Sequence, residues 1–209
     1  MQYQLFSHNP MGQNVYLAWC PATLDGVIID AGCNDQDAAA IQAHVLNQGI
    51  TLKAILLTHG HYDHIIYANQ LAAQTAVPIY CHPKEEPLLA DPALNLSCRT
   101  SQPFSVTGIQ RLEDGETFLV GQVALKVIHT PGHTAGGLCF YCGAAGILFA
   151  GDSLFKGSIG RTDFPTGDAK QLVKNIKAKL FILPEETQVL SGHGPATTIG
   201  QEKKSNPFF

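Results

Sequence analysis

Charge is sparse in this sequence. Only 14% of its 209 residues are Asp, Glu, Lys or Arg, and 13 basic against 17 acidic groups leave a net charge of −4. No cluster of lysines and arginines stands out, which argues against a nucleic-acid partner, since phosphate backbones are held by concentrated positive charge. Long apolar runs are also missing: none approaches the ~20 residues of a membrane span. The opening Met1-Gln2-Tyr3-Gln4-Leu5-Phe6 has no basic segment followed by an apolar one, so it does not read as a secretory signal. Six cysteines without such a signal read as reduced thiols of a cytoplasmic protein. With 45% hydrophobic residues, the chain fits one compact domain over 1–209 with a sizeable core.

Cys139-Phe140-Tyr141-Cys142 has redox CxxC spacing but lies in a strand-like run. Residues three apart on a strand face opposite sides, so these sulfurs are expected not to meet. Cys20, Cys33, Cys81 and Cys98 read as small buried apolar side chains.

What the chain does have is a concentration of metal-ligand side chains. Thr58-His59-Gly60-His61-Tyr62-Asp63-His64 places three imidazoles and a carboxylate in six residues, directly after the strand-like Ala54-Ile55-Leu56-Leu57. All four suit zinc, iron or manganese. Residues two apart point about 200° apart on a helix of ~3.6 residues per turn, so His59 and His61 share an ion only from an extended loop. Asp63 and His64 reach a different point. The spacing therefore suggests two ions side by side, the first held by His59 and His61, the second by Asp63 and His64.

Two ligands are too few for a catalytic ion, which usually takes ~3 from the protein and leaves a position for water. Three later turns offer candidates, each after an apolar strand: His133 in Thr130-Pro131-Gly132-His133-Thr134, Asp152 in Gly151-Asp152-Ser153, and His193 in Ser191-Gly192-His193-Gly194. Asp30 ends the run Val27-Ile28-Ile29.

This set of motifs resembles the metallo-β-lactamase superfamily over nearly the whole chain. The resemblance implies a four-layer αββα sandwich of two mixed sheets flanked by helices. It implies one ion on His59, His61 and His133, a second on Asp63, His64 and His193, and Asp152 bridging them. Asp30 would stand behind the ligands. Two divalent ions are implied, with zinc favoured and iron or manganese possible. The lactamase branch usually has a cysteine where this chain has Asp152, which argues against antibiotic hydrolysis.

The run Gly151 to Pro165, with Gly160-Arg161-Thr162-Asp163-Phe164, resembles the glyoxalase II branch (hydroxyacylglutathione hydrolases), as do Gly192-His193-Gly194-Pro195 and Asn206-Pro207-Phe208-Phe209. The implied reaction is hydrolysis of a glutathione thioester, S-lactoylglutathione to D-lactate and glutathione, by a hydroxide shared between the ions. Asp63 and Asp152 would orient or deprotonate the water, and Arg161 would contact a substrate carboxylate or anchor its own loop to Asp163. A single domain is expected, without the C-terminal helical glutathione-binding domain of longer members. An alternative resemblance, to persulfide dioxygenases and notably at Gly160-Arg161-Thr162-Asp163-Phe164, would use a single iron on His59, His133 and Asp152. The expected assembly is a monomer or homodimer.

The rest reads coarsely. Helices are expected at Asp35–Asn47, Asp63–Thr75, Lys84–Ala90 and Asp168–Leu180. Residues 91–106 form an irregular wall near the site, and the tail from Thr197 has no strong pattern. His129 reads as core or as support behind the ligands; His8, His44 and His82 read as surface or capping residues.

Overall fold

The computed structural model describes residues 1–209. The first sheet runs β1 (Gln2–Phe6), β2 (Val15–Trp19), β3 (Asp25–Ile29), β4 (Thr51–Leu56), β5 (Ile79–Cys81) and β6 (Gln110–Arg111) in that spatial order. Its first three strands are antiparallel neighbours and its last four parallel ones. The second contains β7 (Thr117–Val120), β8 (Val123–His129), β9 (Leu138–Cys142) and β10 (Ile147–Gly151). A small hairpin of β11 (Leu154–Phe155) and β12 (Ser158–Ile159) follows, and then β13 (Gln188–Ser191) and β14 (Thr197–Thr198) complete the second sheet in the order β14-β13-β10-β9-β8-β7. Only the β10–β13 pair in it is parallel. Both sheets are mixed.

Strand alternation sorts the side chains into three cores, since successive residues face opposite sides. Tyr16, Ala18, Val27, Ile29, Ala54 and Leu56 meet Val127, Phe140 and Phe149 between the sheets. Val15, Leu17, Ile28 and Ile55 instead face outward onto α1 (Asp35–Gln48) and onto Ala68 and Leu71 of a later helix. Ile128, Cys139, Leu148 and Val189 face outward onto Leu172, Ile176, Leu180 and Ile199. The result is the expected four-layer αββα sandwich. Cys139 lies in the outer core and Cys142 between the sheets, so their thiols do not meet.

α1 starts where Asn34 accepts from the Asp37 N–H and ends at Gly49 in the left-handed conformation. The helix expected over Asp63–Thr75 is two: α2 (Tyr62–Ile65) and α3 (Ala68–Thr75). The break has a tertiary cause. The Ala31 N–H takes the His64 carbonyl, and the Tyr67 N–H donates to the Ala31 carbonyl (2.9 Å), diverting bonds a continuous helix would use. α4 is Glu86–Ala90. The Asp168–Leu180 segment is α5 (Ala169–Asn175) followed by one wide turn over Ile176–Leu180, where the Phe181 N–H reaches the Ile176 carbonyl. The tail is more ordered than expected: Thr198 caps α6 (Ile199–Ser205). Its signal is weak because only Ile199 and Glu202 point inward. Cys98, expected buried, is exposed, because it lies on a short turn of the irregular wall.

Candidate metal centre

The strands of the two sheets end together, and their loops carry the histidines to one place. β4 delivers Thr58 and His59. His61 follows in extended conformation and begins α2, whose first turn holds Asp63 and His64. β8 precedes the turn with His133, β10 the turn with Asp152, and β13 the turn with His193.

His59, His61 and His133 converge. His133 Nε2 lies 2.9 Å from His61 Nδ1 and 3.1 Å from His59 Nε2. Asp63, His64 and His193 form a second group, with His64 Nε2 3.3 Å from His193 Nε2 and His193 Nε2 3.2 Å from Asp63 Oδ2. Within each group the candidate ligand atoms lie within 4.8 Å of one another. Asp152 stands between the groups: Oδ1 is 3.3 Å from His64 Nε2, and Oδ2 is 3.6 Å from His133 Nε2. Six of the eight residues singled out from the sequence as site residues, and Asp152 with them, are therefore brought together.

Hydrogen bonds on the far side of the rings fix their direction. The His133 Nδ1–H donates to the Arg161 carbonyl (2.7 Å). The His64 Nδ1–H donates to Asp30 Oδ2 (2.8 Å). The Thr58 hydroxyl donates to Asp30 Oδ2 (2.8 Å), so its oxygen accepts from His59 Nδ1–H (3.1 Å). With each Nδ1 carrying a proton, the Nε2 lone pairs aim inward. Asp30 also accepts from the Thr58 N–H (2.7 Å), and its own backbone is left-handed (φ 56°), a conformation Asp tolerates better than most residues. Asp30 thus stands behind the cluster, as the resemblance implied.

This arrangement fits a cation. Lone pairs of His59 and His133 face each other at 3.1 Å with no hydrogen between them, and the buried Asp152 Oδ1 has no hydrogen-bond partner. Burial holds the His59 imidazole far below its ordinary range and brings His61 down to about 3, so both stay neutral and ligand-ready. Burial also lowers His133. At His64 burial is outweighed by the carboxylates of Asp152, Asp30 and Asp63, which hold the ring well above its usual value, so a cation bound there would displace a proton from Nε2 to gain its lone pair. For Asp152 and Asp63, burial is outweighed by His64 and the other rings, so both stay ionised. Nitrogen and oxygen donors suit zinc, iron or manganese.

Close approach makes two glycines necessary. A Cβ on Gly192 would collide with Asp152 Oδ1 and come 2.6 Å from the His64 ring; one on Gly160 would strike the Asp152 carbonyl.

A pocket of about 540 Å³ opens onto the cluster, walled by Tyr62, Leu96, Arg99, Phe155, Arg161 and Phe164. The irregular segment 91–106 supplies Leu96 and Arg99, as expected of a wall. Arg161 is committed in part to its own loop: Nε and Nη2 donate to the two Asp163 oxygens (3.0 and 2.7 Å), and its guanidinium lies 4.2 Å from the Phe164 ring.

Sequence reasoning missed Glu85. It is fully buried, and it accepts from the Gly60 N–H (2.8 Å) and the Gly136 N–H (2.7 Å), tying the His59–His61 loop to the loop after His133. Burial pushes its carboxyl up. Its one sequence signal was a charge beside the apolar Pro87-Leu88-Leu89, too weak to separate it from the half-buried Glu86. His82 is also buried, against the expectation of a surface ring; it caps the turn before α4 and stacks on His129, with centroids 4.0 Å apart. His129 belongs to that stack and is no ligand. His8 is exposed and paired with Asp37.

The sequence profile of the metallo-β-lactamase superfamily matches residues 8–193. The chain belongs to that superfamily. It is 34% identical to the hydroxyacylglutathione hydrolase GloC of Haemophilus influenzae, covering 100% of this chain and 98% of that one. Among solved structures it resembles the BLEG-1 B3 metallo-β-lactamase (39% identity, TM-score 0.90, 99% of each chain). It also resembles TTHA1623 in a di-iron-bound form (35% identity, TM-score 0.87, 99% of this chain and 100% of that one). No helix is long and apolar enough to cross a membrane.

Proposed function

We propose that this superfamily member is a dinuclear metallohydrolase of thioesters, acting in the cytoplasm on a glutathione-linked substrate such as S-lactoylglutathione. One ion would be held by His59, His61 and His133, the other by Asp63, His64 and His193, with Asp152 between them. The observation that carries this reading is Asp152, which stands within reach of both groups: Oδ1 is 3.3 Å from His64 Nε2, and Oδ2 is 3.6 Å from His133 Nε2 and 3.9 Å from His193 Nε2. The di-iron relative supports two ions and leaves iron beside zinc and manganese as candidates. The GloC relative supports the thioester.

When bound there, divalent ions supply Lewis acidity and activate water near neutral pH. The chain's own residues supply the rest. Asp30, through His64 and Thr58, and the Arg161 carbonyl, through His133, hold the imidazoles in the tautomer that presents a lone pair. Asp63, ionised and partly exposed to the pocket, accepts a hydrogen bond from a water on that side and orients it. The apolar Leu96, Phe155 and Phe164 exclude bulk water from the acyl group. Arg161 keeps Nη1 free for the substrate while Asp163 holds its other donors. The leaving thiol needs no acid of its own, because thiolates are good leaving groups near neutral pH.

The test is anaerobic hydrolysis of S-lactoylglutathione by metal-loaded protein, beside Asp152→Ala. Hydrolysis that falls at least about a hundredfold in the variant, together with loss of metal, is the expected result. A metallated protein without thioesterase activity would overturn the reading. It would direct attention to oxygen consumption with glutathione persulfide and, given the BLEG-1 likeness, to β-lactams.

A further inference from the structure

Three arginines occur in this sequence, and they differ in what they touch. Arg111 pairs with Glu86 away from the pocket, Nε to Oε1 at 2.7 Å. Arg161 lines the pocket but is held bidentately by Asp163. Arg99 also lines the pocket and forms no ion pair; its guanidinium lies 5.4 Å from the Phe164 ring. No lysine lines the pocket, and its carboxylates, Asp63 and Asp152, are both engaged with the histidine cluster. Arg99 is therefore the pocket arginine that no carboxylate holds in an ion pair, although Asp163, held by Arg161, also lies close enough to feel its charge.

Its backbone is held by buried polar groups. Asn95 and Ser97 are fully buried, and their side chains both donate to the Phe104 carbonyl (3.0 Å each). The Ser97 hydroxyl accepts from the Phe104 N–H (3.0 Å). Leu96 is left-handed (φ 69°), and the Arg99 N–H closes a turn on its carbonyl (3.1 Å). The Tyr62 N–H donates to the Asn95 carbonyl (2.8 Å), which ties the segment to the metal-ligand motif. Burying this many polar groups in a loop only makes sense if each is paired, and each pairing fixes where Arg99 stands relative to His61 and Asp63. Arg99 itself is exposed, so these pairings fix its backbone and leave its guanidinium open to the pocket.

We propose that Arg99 is the anion-recognition residue of this pocket, and that the enzyme selects thioesters whose thiol portion carries a carboxylate. A planar guanidinium with free donors binds a carboxylate through two parallel hydrogen bonds. The Phe164 ring, close to both Arg99 and Arg161, gives the two cations a common apolar platform. This selection rests on the thioester reading above, but the binding of the anion does not.

The test uses the metal-loaded protein, Arg99→Gln, Arg99→Lys and, as an outside control, Arg111→Gln. S-acetylglutathione is compared with its diethyl ester, which keeps the peptide backbone and acyl group, removes both carboxylate charges and adds two ethyl groups. Arg99→Gln is expected to raise KM for the free acid on the order of tenfold, with kcat unchanged and the diethyl ester unaffected. Arg99→Lys should recover part of the loss, and Arg111→Gln should match the parent protein. Equal effects on acid and ester, or a parent protein indifferent to the carboxylates, would overturn the proposal. Calorimetry with S-methylglutathione, a thioether that is not hydrolysed, separates this failure from that of the thioester reading. If neither thioester is turned over, weaker S-methylglutathione binding by Arg99→Gln still supports Arg99, and equal or absent binding overturns it.

Discussion

Glu85 accepts a hydrogen bond from the backbone N–H of Gly60, the residue between the two histidines that open the metal-ligand motif. Its other oxygen accepts from Gly136. One buried carboxylate thus joins two loops that come from different sheets and carry His59, His61 and His133. Replacing it by alanine would leave two buried donors unpaired, at about 1–3 kcal/mol each. Glu85→Ala should lower the melting temperature on the order of 10 °C and weaken metal binding. Glu85→Gln keeps one acceptor and should fall between. Scanning calorimetry with and without metal checks both. An alanine variant with unchanged metal affinity would reduce Glu85 to a purely structural tie.

Asp30 makes a second test of positioning. Asparagine tolerates the left-handed backbone at this position, so Asp30→Asn should fold. It replaces an acceptor by a donor opposite the Thr58 hydroxyl and His64 Nδ1. Metal affinity should drop about 10–100-fold, read by competition with a chromogenic chelator. Retained affinity would mean that the tautomer of His64 is set by something other than Asp30.

The stacked His82–His129 pair gives a pH dependence. Burial, then the neighbouring His129 charge, brings His82 down to about 4, and burial also lowers His129. The unfolded chain therefore binds more protons than the native state between the ordinary histidine value of ~6.5 and about 4. Stability from this group is full above the unfolded value and is lost as pH falls through that window, with a slope of up to about 1.4 kcal/mol per pH unit. His82→Asn can keep the cap on the Lys84 N–H while removing the titration. Urea midpoints measured from pH 7 to 4 should converge for parent and variant at the acid end. Parallel profiles would show that the stack does not titrate in this range.

Much of the site was written locally. His59 and His61 lie two apart after a buried strand, so an extended loop had to aim them together, and His133, Asp152 and His193 each follow an apolar strand and stand beside a glycine. The alternation of Val15-Tyr16-Leu17-Ala18-Trp19 and of Val27-Ile28-Ile29 encoded a sheet buried on both faces, because period-two placement needs only neighbours along the chain. The helix caps at Asn34 and Asp168 are equally local.

Other features depend on partners far away in sequence. Glu85 is distinguished from Glu86 only by Gly60, 25 residues back, and Gly136, 51 residues on. The helix after His64 breaks because Ala31 claims its backbone bonds. α6 forms because Ile199 finds the outer core and Glu202 accepts from Thr197, Gly157 and Asn206. Arg161 is drawn to Asp163, two residues on, a pairing the sequence could suggest; that Arg99 beside it enters no ion pair is a fact of the pocket alone. The sequence by itself determined which side chains could hold metal and which faces are buried, since both follow from residue type and short-range period. Tertiary structure decided which buried charge ties the loops and which arginine is free, because burial and pairing are set by contacts between distant segments.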